Sequence, residues 1–335
     1  MNNSSLRAGI IGLGVGQRHI SGYSDNPNCE VVAICDINKS KLDEVAKSNP
    51  DLKLFTDPNE LLADNSINIV SIASYDDSHC NQILNALDHN KHVFVEKPIC
   101  LYRDEYNKIK TKLEIKKDLR LSANFVLRGI PRFVELKSRI ITGMLGSLYY
   151  LEGDYDYGRL QKLTDGWRGD VKGYSVTHGG AIHLIDLLVW LTGRKIVEVF
   201  AYGNNISTKE TKFIGNDLVT ALLRFDNKIV AKVTANFGSV TSHFHKVSVY
   251  GTHGTFEQSQ LGAAYSWSRD DQQILEYSEA AYPFSGVGRK NILSSFLKNL
   301  VEGTEPRITA EQILHVMNVS LAIDESIVSG LPIRI

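Results

Sequence analysis

The sequence carries no surplus of charge of either sign: 37 Lys and Arg stand against 38 Asp and Glu, a formal net charge of −1. Binding to a polyanion by counterion release needs a clustered basic excess. The pairs Lys116-Lys117 and Arg289-Lys290 are too short to supply one, so no nucleic-acid partner is expected. Long apolar runs are also missing. The longest, Ala181–Leu191, is broken by His183 and Asp186 and falls short of the ~20 residues that span a bilayer. No membrane partner is expected either. The opening residues, Met1-Asn2-Asn3-Ser4-Ser5, have one nearby positive charge, Arg7, and make a poor secretory leader. Cysteine is scarce. Cys29, Cys35, Cys80 and Cys100 all lie in the first third and form no CxxC pair, which argues against a disulfide framework or a zinc knuckle. Reduced core thiols in a cytoplasmic protein, with no metal, are the reading that remains.

What is present is an ordinary globular composition, 43% hydrophobic and 22% charged over 335 residues, long enough for two domains. Over the first 125 residues, short β-branched runs alternate with helical patterns, as in a parallel sheet flanked by helices. Candidate strands are Leu6–Ile11, Val31–Cys35, Ile67–Ala73, His92–Glu96 and Leu119–Asn124. A small helix is marked at Asp57-Pro58-Asn59-Glu60, where Asp57 can cap and Pro58 suits the first helical position. After Arg128 the texture changes. Helices are expected at Pro131–Thr142 and from Gly180 to Leu191, and two more close the chain, at Lys290–Val301 and Ala310–Val328. Between them run strand-like segments: Leu148–Tyr157, Val197–Tyr202, Leu218–Phe225, Ile229–Phe237, His245–Tyr250 and Gly254–Gln258. Such runs predict an α/β second domain with a large, mostly antiparallel sheet, giving domains 1–124 and 125–335. Leu218–Phe225 and Ile229–Phe237 carry apolar residues on both parities (Val219, Ala221, Leu222, Leu223), so the open sheet is expected to build a homodimer or homotetramer.

The first strand runs into Gly12-Leu13-Gly14-Val15-Gly16-Gln17, and a helix follows. A tight glycine turn lets backbone approach a pyrophosphate whose charge sits at a helix N-terminus. The third glycine is displaced, since the usual spacing would place it at Gln17. Asp36 ends the second strand, where an acid bonds the ribose hydroxyls of NAD and repels a 2′-phosphate. Lys39 is the nearest cation to it in Ile37-Asn38-Lys39, and Asp36 or Asn38 can also cap the next helix. Together these favour NAD over NADP.

At Val95-Glu96-Lys97-Pro98 the sequence resembles the Gfo/Idh/MocA family of NAD(P)-dependent oxidoreductases. The likeness runs from the glycine turn through Ser74-Tyr75-Asp76 with His79, then Glu96-Lys97-Pro98, Asn124 and Arg128, to Gly179-Gly180-Ala181-Ile182-His183-Leu184-Ile185-Asp186. It implies an N-terminal doubly wound Rossmann sheet and a C-terminal α/β domain whose open sheet often forms the subunit interface. It also implies cofactor contacts from Gly12, Gly14, Val15, Gly16, Asp36, Ser74, Tyr75, His79, Glu96, Lys97 and Asn124. By the same resemblance Lys97 lies beside the nicotinamide ribose and the substrate hydroxyl, and His183 is the general acid/base, a task imidazole suits because it titrates near neutral pH. Asp186, three residues on, can share its helix face. Many members carry an aspartate four residues before this histidine. Here that residue is Gly179, so either His183 works alone with Lys97 or another group, Tyr174 or His178, supplies the missing contact.

The segment Gly153–Tyr174 mixes aromatics and cations, with Tyr157, Arg159, Trp167 and Arg168 among them, and suits polyol or phosphate recognition. That segment and the resemblance together imply substrate contacts from Lys97, Arg128, Tyr157, Arg168, Tyr174, His178 and Asp186. The leading function is hydride transfer between NAD and a hydroxyl or keto carbon of a sugar, cyclitol or nucleotide-linked sugar. Two other classes share the fold: an NAD-dependent glycoside hydrolase and a non-catalytic dinucleotide sensor. The first needs a further acid or base for elimination, which the sequence does not single out. Retention of both Lys97 and His183 argues against the second.

Overall fold

In the computed structural model, residues 6–270, 274–282 and 287–335 are described; the opening residues 1–5, read above as a poor secretory leader, lie outside them. The chain forms two compact units, one from Met1–Val126 with Ser285–Leu314, the other from Leu127–Phe284 with His315–Ile335.

The first unit holds six parallel strands: β1 (Leu6–Ile11), β2 (Cys29–Cys35), β3 (Lys53–Phe55), β4 (Ile69–Ile72), β5 (His92–Val95) and β6 (Leu121–Ala123). Their order is β3-β2-β1-β4-β5-β6, the doubly wound Rossmann arrangement. Helices α1 (Gln17–Ser24), α2 (Lys39–Lys47), α3 (Pro58–Ala63), α4 (His79–Asp88) and α5 (Arg103–Ile115) connect them. β4 is buried at every residue, as a parallel sheet covered on both faces requires. Local chemistry sets the helix starts: the side chains of Asn38 and Asp57 accept from Ser40 N and Asn59 N, and Pro58 opens α3. β3 is a short, exposed edge strand that has no apolar pattern to announce it. The sequence reading places one boundary, after residue 124. The chain instead returns to this unit through a helix over Val287–Glu302, whose Leu293 covers Gly22 on α1 and whose Phe296 ring lies 6.0 Å from Phe94.

The second unit contains α6 (Pro131–Ile141), β7 (Leu148–Asp156), α7 (Gln161–Thr164), α8 (Ile182–Thr192), β8 (Ile196–Asn204), β9 (Leu218–Phe225), β10 (Val230–Asn236), β11 (Phe244–Gly251), β12 (Thr255–Ser259), β13 (Gly262–Ser266) and β14 (Leu275–Tyr277). The late helix already met is α9; α10 (Ala310–Ser329) and β15 (Ile333–Arg334) complete the chain. Nine strands form one sheet in the order β14-β13-β12-β11-β7-β10-β9-β8-β15, antiparallel except for the β10–β7 pair. α8 lies on the inner face, where Gly153 of β7 leaves room for Leu184. Apolar residues fall on both faces of this part of the sheet. Val219, Ala221 and Leu223 all point inward, whereas Leu222, Val230 and the half-buried Leu218 face out. The outer face is mixed, with Thr220, Arg224, Lys232 and Thr234 beside them.

Candidate active site

In the first unit the site is made largely of backbone. Gly12 has φ +86°, and a Cβ there would lie 2.4 Å from the carbonyl oxygen of Ala73, so only glycine fits. Gly16 is equally closed, with Gly12 O 2.2 Å from its would-be Cβ, whereas nothing lies within 4 Å of Gly14. The turn is thus packed against the protein at its ends and open at Gly14, next to the half-exposed Val15. α1 begins at Gln17 with no acid in its own first turn, which leaves its N-terminal dipole suited to an anion.

Asp36, at the end of β2, is buried and accepts from Leu13 N (2.7 Å) and Asn38 N (2.8 Å), one at each carboxylate oxygen. Each oxygen retains a second acceptor site. Lys41 Nζ, one turn into α2, is 3.9 Å from Asp36; the sequence reading considered Lys39, and only the helix brings Lys41 here. These residues line a cleft of about 330 Å³ together with Ser74 and the exposed Tyr75. Ser74 Oγ donates to Gln82 Oε1 at 2.8 Å.

At the ends of β5 and β6, Glu96 Oε1 accepts from Asn124 Nδ2 (2.6 Å) and lies 3.2 Å from His19 Nε2, with Arg289 at 4.0 Å. Burial opposes its charge, but His19, Asn124 and Arg289 together hold its carboxyl down, at about 2. Lys97 follows, half-buried, before a cis bond to Pro98. Asn124 Oδ1 is buried with no hydrogen-bond partner among the described residues, an acceptor left for a donor from outside the chain. The glycine cradle, the open helix start, the spare lone pairs of Asp36 and this orphaned oxygen fit NAD. His79 does not belong with them. Fully buried, its ring spans the carbonyls of Pro98 (2.6 Å) and Ser74 (3.2 Å) and so ties two loops rather than meeting a cofactor.

In the second unit the site is made of side chains. His183 stands one residue into α8, which is preceded by a π-helical turn over Thr177–Ala181 rather than by α-helix from Gly180. Tyr155 is the hub of an aromatic cluster. It stacks near His183 (6.3 Å), Tyr157 (5.7 Å) and Phe237 (5.8 Å), and meets His243 (4.9 Å) and His245 (5.1 Å) at steeper angles. Burial pushes its phenol well above the usual range. His245 Nδ1 is 2.5 Å from Tyr282 Oη. The Arg159 guanidinium lies over Tyr157 at 5.5 Å and that of Arg168 over Trp167 at 4.5 Å.

Three expected substrate contacts are placed elsewhere. Arg128 and Asp186 are fully buried and grip each other through three hydrogen bonds of 2.7–3.1 Å; burial still raises the Asp186 carboxyl despite its partner. His178 is 1% exposed, 2.8 Å from Ser320 Oγ and 3.6 Å from Asp324. Sequence reading missed His243 and His245 as members of this cluster, and Phe237 as the buried ring beneath it. A signal was present: His243 and His245 alternate as Tyr155 and Tyr157 do, and β11 pairs His245 opposite Tyr155.

Comparison with known proteins agrees with both units. The NAD-binding Rossmann-fold model of the Gfo/Idh/MocA oxidoreductases matches residues 6–125, and the family's C-terminal domain model matches residues 133–257. The myo-inositol 2-dehydrogenase of Thermotoga maritima is 24% identical over 330 residues, 91% of this chain and 91% of that protein. The glucose-6-phosphate 3-dehydrogenase of Bacillus subtilis is 30% identical over 246 residues, 70% of this chain and 68% of that protein. In fold, the scyllo-inositol dehydrogenase of Lactobacillus casei, solved with NAD(H) and scyllo-inositol, matches with a TM-score of 0.81 at 20% identity, over 98% of this chain and 99% of its own. The chain is a member of the Gfo/Idh/MocA family of NAD-dependent oxidoreductases.

Proposed function

We propose that the protein is a dehydrogenase acting on a hydroxyl-bearing carbon of a cyclitol or a related sugar. The observation that carries this reading is the cleft that fits NAD in the first unit; His183, set among aromatic rings within the second, supports it. NAD, when bound, supplies the hydride acceptor. Gly12, Gly14, Val15 and Gly16 would hold its pyrophosphate through backbone, Asp36 its ribose, and Ser74, Tyr75 and Asn124 polar groups further along. His183 would take the hydroxyl proton as the alkoxide forms, and Lys97 would stabilise that developing charge.

The aromatic cluster supports a ring-shaped substrate, since C–H faces of a polyol would pack on Tyr155 and Tyr157 while hydroxyls meet the histidines. Relatives named as inositol dehydrogenases favour a cyclitol. Arg159 and Arg168 would also accommodate a phosphate, which keeps sugar phosphates and nucleotide-linked sugars within the class. Exposed Leu222, Val230 and Tyr202 on the outer sheet face support a homodimer or homotetramer. Among the described residues no helix is long and apolar enough to cross a membrane. Four free, buried cysteines support a reducing, cytoplasmic setting.

The test is absorbance at the NADH band with myo-inositol, scyllo-inositol, glucose 6-phosphate and a nucleotide sugar. Net NAD reduction with one of them is expected. Cleavage of a glycoside without net reduction would turn the reading toward a hydrolase, and NAD binding with no turnover toward a sensor.

A further inference from the structure

His245 of β11 lies in the aromatic cluster with one ring nitrogen committed to Tyr282, whose Oη is 2.5 Å from Nδ1. A neutral imidazole carries one proton, on Nδ1 or on Nε2, and the surrounding bonds decide which. An arginine can only donate. Arg132 of α6, with Nη1 3.3 Å from Gln258 Oε1, therefore fixes the buried Gln258 amide with its oxygen on the Arg132 side. Gln258 Nε2 accordingly donates to the His245 carbonyl at 2.7 Å. Burial pushes the Tyr282 phenol well above its usual range, against the pull of the His245 backbone N–H, Arg132 and the Gln258 amide, so the phenol keeps its proton. Those three neighbours all present hydrogens to Tyr282, and of the groups named only His245 Nδ1 can accept one from it. The hydroxyl thus donates to Nδ1, and the ring proton of His245 stands on Nε2. Whatever meets Nε2 meets an N–H.

The phenol is itself clamped. Phe133 of α6 and Phe244 of β11 pack on it with ring centroids at 5.8 and 5.5 Å, and the Arg132 guanidinium lies over its face at 5.5 Å. The His183 ring stands 6.3 Å from that of His245 and nearly perpendicular to it. A nitrogen that takes a hydroxyl proton must offer a lone pair, so two neighbouring imidazoles face the cluster in opposite roles. Resting on the reading of His183 as proton carrier, we propose that His245 determines specificity by donating from Nε2 to a second hydroxyl oxygen of the same substrate, with Tyr282 the positioning residue that holds it in this donor form. With each ring reaching an oxygen at ~2.9 Å, rings at this separation suit neighbouring hydroxyls of one polyol. The substrate class is accordingly a vicinal diol, and a compound with no oxygen at the second place leaves a buried N–H unpaired.

The tautomer is read without substrate, from the ring-nitrogen NMR resonances of His245 in the isotope-labelled full chain, assigned by the signals lost in His245→Gln. A protonated Nε2 and an unprotonated, hydrogen-bonded Nδ1 are expected; a proton on Nδ1 overturns the proposal. Tyr282→Phe keeps the ring packing and should move the Nδ1 resonance, and an unmoved one removes Tyr282 from the positioning role. The substrate arm measures KM and kcat for myo-inositol with NAD. His245→Phe should raise KM about 10-fold, the worth of one hydrogen bond, with kcat affected much less. His245→Gln, whose amide N–H falls near the place of Nε2, should recover a good part of that loss. His245→Asn, whose shorter amide falls near Nδ1, should not. A native KM in His245→Phe, or equal recovery by Asn and Gln, overturns the donor assignment. If the native protein oxidises neither myo-inositol nor scyllo-inositol, the cyclitol reading fails and the vicinal-diol assignment falls with it, while the resonances still decide the tautomer that Tyr282 sets.

Discussion

The cleft of the first unit and the aromatic cluster of the second are built from opposite materials. Around Gly12, Gly14 and Asp36, recognition is offered by backbone N–H groups, a helix start and one carboxylate that already organises the turn. Around His183 nearly everything is side chain, drawn from β7, α8, β11 and the loop before it. A backbone site tolerates sequence change everywhere except where a Cβ collides. A side-chain site can be re-cut by one substitution, so the first unit is suited to a fixed ligand and the second to a variable one.

Substitutions can break that contrast, and the largest effect is expected at His183. His183→Ala should lower turnover ~10²–10⁴-fold while leaving NAD affinity unchanged in a fluorescence titration. A large loss of NAD affinity would mean that the two sites are not separable. Lys97→Ala should also cut turnover, with at most a modest loss of NAD affinity.

Next in size is Arg128. Removing one partner of a buried ion pair costs about 3–5 kcal/mol, so Arg128→Met should lower stability by that order in chemical denaturation. Adding Asp186→Leu should recover much of the loss. If Arg128→Met is stable and only the KM for substrate rises, the original reading of Arg128 as a substrate contact is restored.

At the cofactor side, Asp36→Ala should weaken NAD binding ~10–100-fold, the worth of hydrogen bonds to a charged acceptor, and should narrow the preference over NADP. Lys41 beside it sharpens the test: equal or tighter binding of NADPH by the native protein would show that the lysine outweighs the acid. The smallest effect concerns Glu96. Its carboxyl lies at about 2 against an ordinary 4.5. The stability it contributes is complete above pH ~4.5 and is lost as pH falls from there toward 2. Glu96→Gln should therefore show a shallower fall in melting temperature across that interval.

The same contrast explains what was legible in the sequence. Strand, glycine turn, helix and terminal acid are adjacent in the chain, so the Rossmann unit and Asp36 could be read from spacing. The misplaced residues depend on partners far away: Arg128 bonds a residue 58 positions on, and His178 one 142 positions on. A histidine or arginine that looks free for chemistry is indistinguishable, in one dimension, from one committed to a distant carboxylate or hydroxyl. Which residue of a strand meets which face of the sheet is likewise settled only by pairing. Leu222 and Leu223 are neighbours in sequence but face opposite ways, and their parity is fixed only by pairing with β8 and β10.

The return of α9 to the first unit bears on the order in which that unit can be completed during synthesis. When Val126 has left the ribosome, all six parallel strands exist, yet the groove at Gly22 and the ring of Phe94 still lack Leu293 and Phe296. At ~5–20 residues per second, about 10–30 s separate the two events. Throughout that interval the nascent NAD-binding half would carry an uncovered apolar strip, a site for a chaperone or for a neighbouring nascent chain. A fragment ending near residue 126 should keep that strip permanently, and should be prone to aggregate in spite of its complete sheet.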